Sequence, residues 1–239
     1  VDKGVKDITK ESGARRDALL FAAGVICSVG VMLWAGFSGV DRAYLYAVIL
    51  ICFFVLAPFY ISFEKGEPYA REIVLVSVMI ALAVAGRAAF FWAPQFKPII
   101  AIVIISGIAL GARNGFVIGS MSAFVSNFFF GQGPWTPFQM VAWGLIGFFA
   151  GVFFSEKGRS LLPILIYGAL SCFVLHGAIT DIWTVLSITD KPNLGTVITV
   201  YSAGLIPDLI LAIATVVFLL LLAVPILKKI KRVQEKYEI

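Results

Sequence analysis

The chain has 239 residues, 60% of them hydrophobic and only 14% charged, with a net charge of +5 and a mean hydropathy of +0.98. Soluble domains are about 45–50% apolar and about 25% charged, and a globule of this size cannot hide such an excess of apolar surface. These proportions exclude a soluble enzyme, a disordered tail and a free nucleic-acid binder, and point to one compact domain in a bilayer.

Residues 1–17 carry mixed charge, including Lys3, Lys6, Lys10, Arg15 and Arg16. The apolar run Ala18–Ser38 that follows is longer than the roughly 7–15-residue core of a signal peptide. It is read as an uncleaved first membrane helix, and the missing initiator Met as a trimmed or artificial start. Further apolar runs fall at Ala43–Phe63, Glu72–Trp92, Pro98–Ala112, Gly115–Phe130, Pro137–Ser155, Leu161–Ile188 and Pro207–Leu227. Backbone polar groups in lipid must pair internally, so all are predicted helices. The expected fold is all-α, with about eight transmembrane helices. Within Leu161–Ile188, Asp181 marks a point where the chain leaves the membrane, and Pro207-Asp208 reads as a helix start.

An even number of spans puts both termini on one side. Of the 19 Lys and Arg residues, only Arg42, Lys97 and Lys191 then fall in outer segments, and Arg87 falls within a helix. That asymmetry places both termini in the cytoplasm. Cys27, Cys52 and Cys172 lie inside apolar runs and do not form a disulfide framework.

Catalytic patterns are absent. The single histidine, His176, excludes a His-x-x-Glu-His zinc site, and there is no Gly-x-Ser-x-Gly elbow or phosphate-binding Gly-Lys-Ser/Thr loop. Solute accumulation therefore needs a partner or an ion gradient. Two readings of Arg87 stand: a side chain that snorkels to the outer interface, or one paired with Asp208 or a ligand anion. His176 is read as a helix–helix hydrogen-bonding group.

Three features carry information. Ala81, Ala85 and Ala89 recur every four residues on one helix face, where small side chains let another helix approach closely. The stripe serves packing within the bundle or docking of a separate subunit. Gly107, Gly111, Gly115 and Gly119, with Gly144, Gly147 and Gly151, point to a dense bundle without a wide pore. Finally, the uncharged segment 127–140 sets Asn127, Gln132 and Gln139 among Phe128, Phe130, Trp135 and Phe138, beside Thr136. Amides in an aromatic wall suit a small-molecule pocket. Phe91, Trp92, Gln95, Phe96, Asp181, Trp183, Asp190, Lys191, Asn193 and Tyr201 fall on the same expected outer side.

The alanine stripe, Gly-Ala-Arg-Asn-Gly at 111–115, the stretch from Met121 through Gly131-Gln132-Gly133-Pro134-Trp135-Thr136-Pro137, Gly204-Leu205-Ile206-Pro207-Asp208-Leu209 and the basic tail share a pattern. With them the stretch from Arg71 to Arg232 resembles the S component, the substrate-binding membrane subunit, of energy-coupling factor (ECF) vitamin transporters, most closely the cobalamin type. The resemblance implies a six-helix core at 71–232, preceded by two additional helices at 18–63 and followed by a cytoplasmic tail at 233–239. It implies a multi-pass plasma-membrane protein with no cofactor of its own that captures a vitamin, cobalamin, from outside. It further implies docking through Ala81, Ala85 and Ala89 onto a transmembrane coupling subunit driven by two cytoplasmic ATPases. Substrate contacts are expected from Phe91, Trp92, Gln95, Asn127, Gln132, Trp135, Thr136, Gln139, Asp181 and Tyr201. A stand-alone ion-coupled carrier and a structural subunit that binds no solute remain open alternatives.

Overall fold

The computed structural model describes residues 42–65, 70–155, 160–189 and 192–237, together with residues 23, 26, 27, 30 and 31. The expected segment 1–17 and most of the expected helix Ala18–Ser38 lie outside the described residues; the five isolated positions are helical. The rest is all-α: α1 (Ala43–Lys65), α2 (Ala70–Ala89), α3 (Ile99–Leu110), α4 (Ala112–Phe130), α5 (Thr136–Phe154), α6 (Leu161–Ser171), a π-helical segment (Cys172–Gly177), α7 (Ala178–Ile188) and α8 (Leu194–Tyr237). Among the described residues, four stretches are long and apolar enough to cross a membrane: Ala70–Ala89, Thr136–Phe154, Leu161–Ile188 and Leu194–Tyr237. Leu45–Ile61 and Ile99–Leu110 are shorter apolar helices.

Helix α3 organises the bundle. It is apolar all round, and every residue from Ile99 to Gly107 is buried, as expected of a helix enclosed on all sides. Its 12 residues span about 18 Å, too short to cross a hydrocarbon core of about 30 Å alone. It is sheltered instead by α2, α4, α5 and α8. The glycine series explains how closely these neighbours sit. A Cβ on Gly115 would lie 2.7 Å from the Gly107 Cα, and one on Gly119 would lie 2.9 Å from the Gly144 backbone nitrogen. Gly147 and Gly115 likewise meet backbone to backbone. No side chain fits between α3, α4 and α5, so the glycines gain main-chain packing that larger residues would forbid. The turn from α3 to α4 is made at Gly111, whose φ of +87° suits glycine.

Helix α1 lies against α4, α5 and α7. Phe59 stacks on Phe116 at 3.6 Å between ring centroids, and the Tyr60 and Ser120 hydroxyls hydrogen-bond at 2.7 Å.

Two sequence expectations are corrected. The chain does not leave its helix at Asp181; α7 continues to Ile188. The irregularity falls earlier, as a π-helical segment over Cys172–Gly177. The last helix does not begin at Pro207-Asp208. It begins at Leu194, where the Asn193 side-chain oxygen accepts from the Thr196 backbone N–H at 2.9 Å, and Pro207 and Pro225 are interior. Asn193 satisfies a free donor at the helix start. A proline in a packed membrane helix forfeits one backbone bond whose groups neighbours can re-satisfy. The 44 residues of α8 run about 66 Å, well beyond a hydrocarbon core. Asp208 seats against Gly177, and Asp181 against Gly204, which locks α7 and the π segment onto α8.

Candidate functional site

A cavity of about 260 Å³ opens at the end of the bundle where α2 finishes and α3 and α5 begin. Arg87 contributes from the last turn of α2, and Gln95 and Lys97 from the following loop. Ile99 comes from α3, Trp135, Gln139 and Trp143 from the start of α5, His176 from the π segment, Thr180, Trp183 and Thr184 from α7, and Leu211 from α8. Three indoles therefore share the wall with amides, hydroxyls, an imidazole and two cations. Trp135 and Trp183 stand 6.1 Å apart between centroids, and Trp183 also meets Phe138 at 6.1 Å. Gln95 holds a left-handed backbone, φ +58°, an uncommon conformation for a non-glycine residue.

Arg87 turns toward α4, and it does not pair with Asp208. Its Nη1 donates to Asn127 Oδ1 at 2.8 Å and to Ser126 Oγ. Its guanidinium lies 4.4 Å from the Phe130 centroid and 5.3 Å from that of Trp143. Asn127, only 1% exposed, donates onward to Gln139 Oε1 at 2.8 Å and Thr136 Oγ1 at 3.1 Å. Thr136 donates to Gln132 Oε1 at 2.8 Å, and the Gln132 amide donates to the Phe124 carbonyl at 2.9 Å. The amide-rich segment is thus a connected network that fixes the cation in the cavity wall.

Of the residues expected from sequence to touch substrate, Gln95, Trp135 and Gln139 line the cavity. Asn127, Gln132 and Thr136 lie in the supporting network, because their hydrogen-bonding groups are spent on one another and on Arg87. Phe91 and Trp92 are outside the lining and 72% and 69% exposed. Asp181 is taken up against Gly204, and the Tyr201 hydroxyl donates to the Ala178 carbonyl at 2.8 Å; neither lines the cavity. His176 does bond across helices, with Trp143 Nε1–H donating to its Nδ1 at 3.1 Å, yet it also faces the cavity. Sequence reasoning named none of Lys97, Ile99, Trp143, Thr180, Thr184 and Leu211 as a substrate contact. One signal was available: His176, Thr180 and Trp183-Thr184 fall at helical spacing on a single face.

A second, open apolar groove runs along the outside of α2. Ser77, Ile80, Ala81, Val84, Ala85 and Ala88 form it with Val125 and Phe129 of α4. Ala81, Ala85 and Ala89 are all exposed, whereas Leu75, Val76, Met79 and Ala83 form the buried face of the same helix.

The fold and the cavity together define a polytopic helical membrane protein with a chamber of small-molecule size. The family described as ECF-type riboflavin transporter, S component, matches residues 69–232, well over half of the chain, and the chain belongs to that family. It is accordingly a substrate-binding transport subunit and not an enzyme, of a kind that works with a membrane coupling subunit and ATPases. The matched family is of riboflavin type, where the sequence motifs pointed to the cobalamin type. Comparison with curated proteins and with solved structures gives no match.

Proposed function

We propose that the chain captures a flavin from outside the cell and presents it to an ATP-driven partner assembly. The observation that carries this reading is the cavity itself: about 260 Å³, walled by Trp135, Trp143 and Trp183 with Gln95, Gln139, His176, Thr180 and Thr184 among them. That volume is near the lower end of ligand pockets. A flat heteroaromatic ring system can lie between indoles, where stacking adds to apolar burial, while side-chain donors meet its ring carbonyls and nitrogens. The matched family is of riboflavin type, and that supports a flavin over the cobalamin that the sequence motifs suggested. The protein holds no cofactor of its own in this reading.

The same scheme puts the cavity at the extracellular face of the plasma membrane and both termini in the cytoplasm, in keeping with the Lys and Arg distribution. The groove along Ala81 and Ala85 receives a helix of the transmembrane coupling subunit, and two cytoplasmic ATPases supply the energy. The six-helix substrate-binding core begins after residue 69, and α1, which precedes it, packs on that core through α4, α5 and α7. Titration of the purified full-length chain with riboflavin, followed by flavin fluorescence, tests the reading. Saturable quenching that cobalamin does not reverse is expected; no quenching, or displacement by cobalamin, overturns it.

A further inference from the structure

The cavity wall has a charge imbalance that a neutral ligand leaves unexplained. Arg87 and Lys97 both border it. Both sit against one ring, with the guanidinium carbon 4.4 Å and the ammonium nitrogen 5.2 Å from the Phe130 centroid. Among the described residues, no carboxylate pairs with either cation, and no Asp or Glu lines the cavity. Burial, and then the charge of Arg87, pushes the Lys97 ammonium below the usual lysine range. Two like charges are therefore held together in a partly desolvated wall, an arrangement that disfavours the charged forms unless an anion joins them.

The neutral groups add donors rather than acceptors. Trp143 Nε1–H donates to His176 Nδ1, and an indole N–H can only donate. The imidazole proton therefore sits on Nε2, which is a further donor. Gln139 Oε1 already accepts from Asn127, leaving the Gln139 NH₂ as its unspent end. Arg87 uses Nη1 on Ser126 and Asn127, and the rest of its five N–H donors remain.

We propose that the ligand carries a phosphate ester, as a flavin mononucleotide does, and that Arg87 and Lys97 hold that phosphate. The proposal rests on the flavin reading for the ring system, but its charge argument does not. A phosphate monoester carries about −1.5 to −2 charge at neutral pH, which matches two cations better than a single carboxylate does. A fixed guanidinium fork also suits phosphate oxygens.

The test compares flavin mononucleotide with riboflavin on the purified full-length chain, in wild type, Lys97→Gln and Lys97→Arg. The expected wild-type preference for the nucleotide is at least about tenfold, the worth of one hydrogen bond to a charged group. The preference falls to near unity in Lys97→Gln and is retained in Lys97→Arg, which also shows that the position tolerates substitution. Equal or tighter binding of riboflavin in wild type, or a preference indifferent to Lys97→Gln, overturns the phosphate inference and leaves the flavin reading standing. If neither flavin binds, the flavin reading falls, and calorimetry with pyridoxal phosphate against pyridoxal and thiamine diphosphate against thiamine decides the phosphate inference. Lys97-dependent binding of a phosphorylated member supports it; failure of both phosphorylated members overturns it.

Discussion

Replacing Ala85 by Leu is expected to separate substrate capture from partner docking. Ala85 is exposed in the apolar groove of α2, and Arg87, two positions on, borders the cavity. At about 100° per residue the two side chains point roughly 200° apart around the helix. Leucine adds three carbons to a surface whose use depends on close helix approach. Forced overpacking of a close contact costs about 1–3 kcal/mol, which converts to a weakening of about 5- to 150-fold in partner association at 1.4 kcal/mol per tenfold. The cavity wall is untouched, so ligand affinity is expected to stay within about twofold, an energy below 0.5 kcal/mol. The assay pairs ligand titration on the isolated chain with uptake by vesicles containing the coupling subunit and ATPases. Leu221→Ala, at another exposed apolar position, controls for any change at the lipid-facing surface. Undiminished uptake by Ala85→Leu would show that the groove is not the docking surface. Equal loss of binding and uptake would show that the variant damages the bundle rather than the interface.

Trp135→Ala removes one cavity indole, and calorimetry should show ligand affinity down about 10-fold or more, from a lost aromatic contact of about 0.5–1.5 kcal/mol plus lost apolar burial; unchanged affinity would remove Trp135 from the site. Asn127→Leu leaves Arg87 and Gln139 without their shared partner, so thermal unfolding in detergent should register a loss of about 1–3 kcal/mol and ligand binding should weaken as Arg87 loses its anchor. Gly147→Val sets a branched side chain against the Gly115 backbone, and melting temperature is expected to fall by several degrees whether or not ligand is present; an unaltered melting temperature would mean that the helices separate at no cost. In intact cells, Gln95→Cys should react with a membrane-impermeant thiol reagent added outside, and protection by saturating ligand would place the residue at the cavity mouth, whereas labelling only after lysis would invert the proposed topology.

The helices were legible as apolar runs, because backbone in lipid must pair internally; the first and last residues of α5 each differ from the predicted run by a single position. What escaped was set by packing. Pro207 carries a start signal stronger on paper than that of Asn193, but α8 is held on both sides of the proline by the Asp208–Gly177 and Gly204–Asp181 contacts, so tertiary contact overrides the local preference. The π segment is a change of helical register with no hydrophobic period to announce it. In the site, the mixture of amides and aromatics over 127–140 correctly drew attention to the segment, but composition does not say which amide faces the chamber. Gln139 does, whereas Asn127 and Thr136 face one another. Trp143, His176 and Leu211 meet only because three elements far apart in sequence converge, a proximity that no local pattern encodes.

Helices α2 and α4 link the two surfaces. On one side they supply the groove, with Ala81 and Ala85 from α2 and Val125 and Phe129 from α4. On the other they supply the cation and its holders, Arg87 from α2 and Ser126 with Asn127 from α4. Each groove residue of α4 is thus a close sequence neighbour of an Arg87 partner. A ligand that drew on Arg87 would change the balance of its bonds to Ser126 and Asn127, and with them the seating of α2 on α4 that shapes the groove. Such a link conveys occupancy only if the ligand binds the docking-competent seating more tightly than the other. By reciprocity, a coupling subunit in the groove would then change ligand affinity by the same factor. The short path between the two surfaces, a helix pair tied beside the cavity by one part-buried guanidinium, is the physical reason to expect that factor to depend on Arg87 rather than on the indoles, which line the cavity without bridging these two helices.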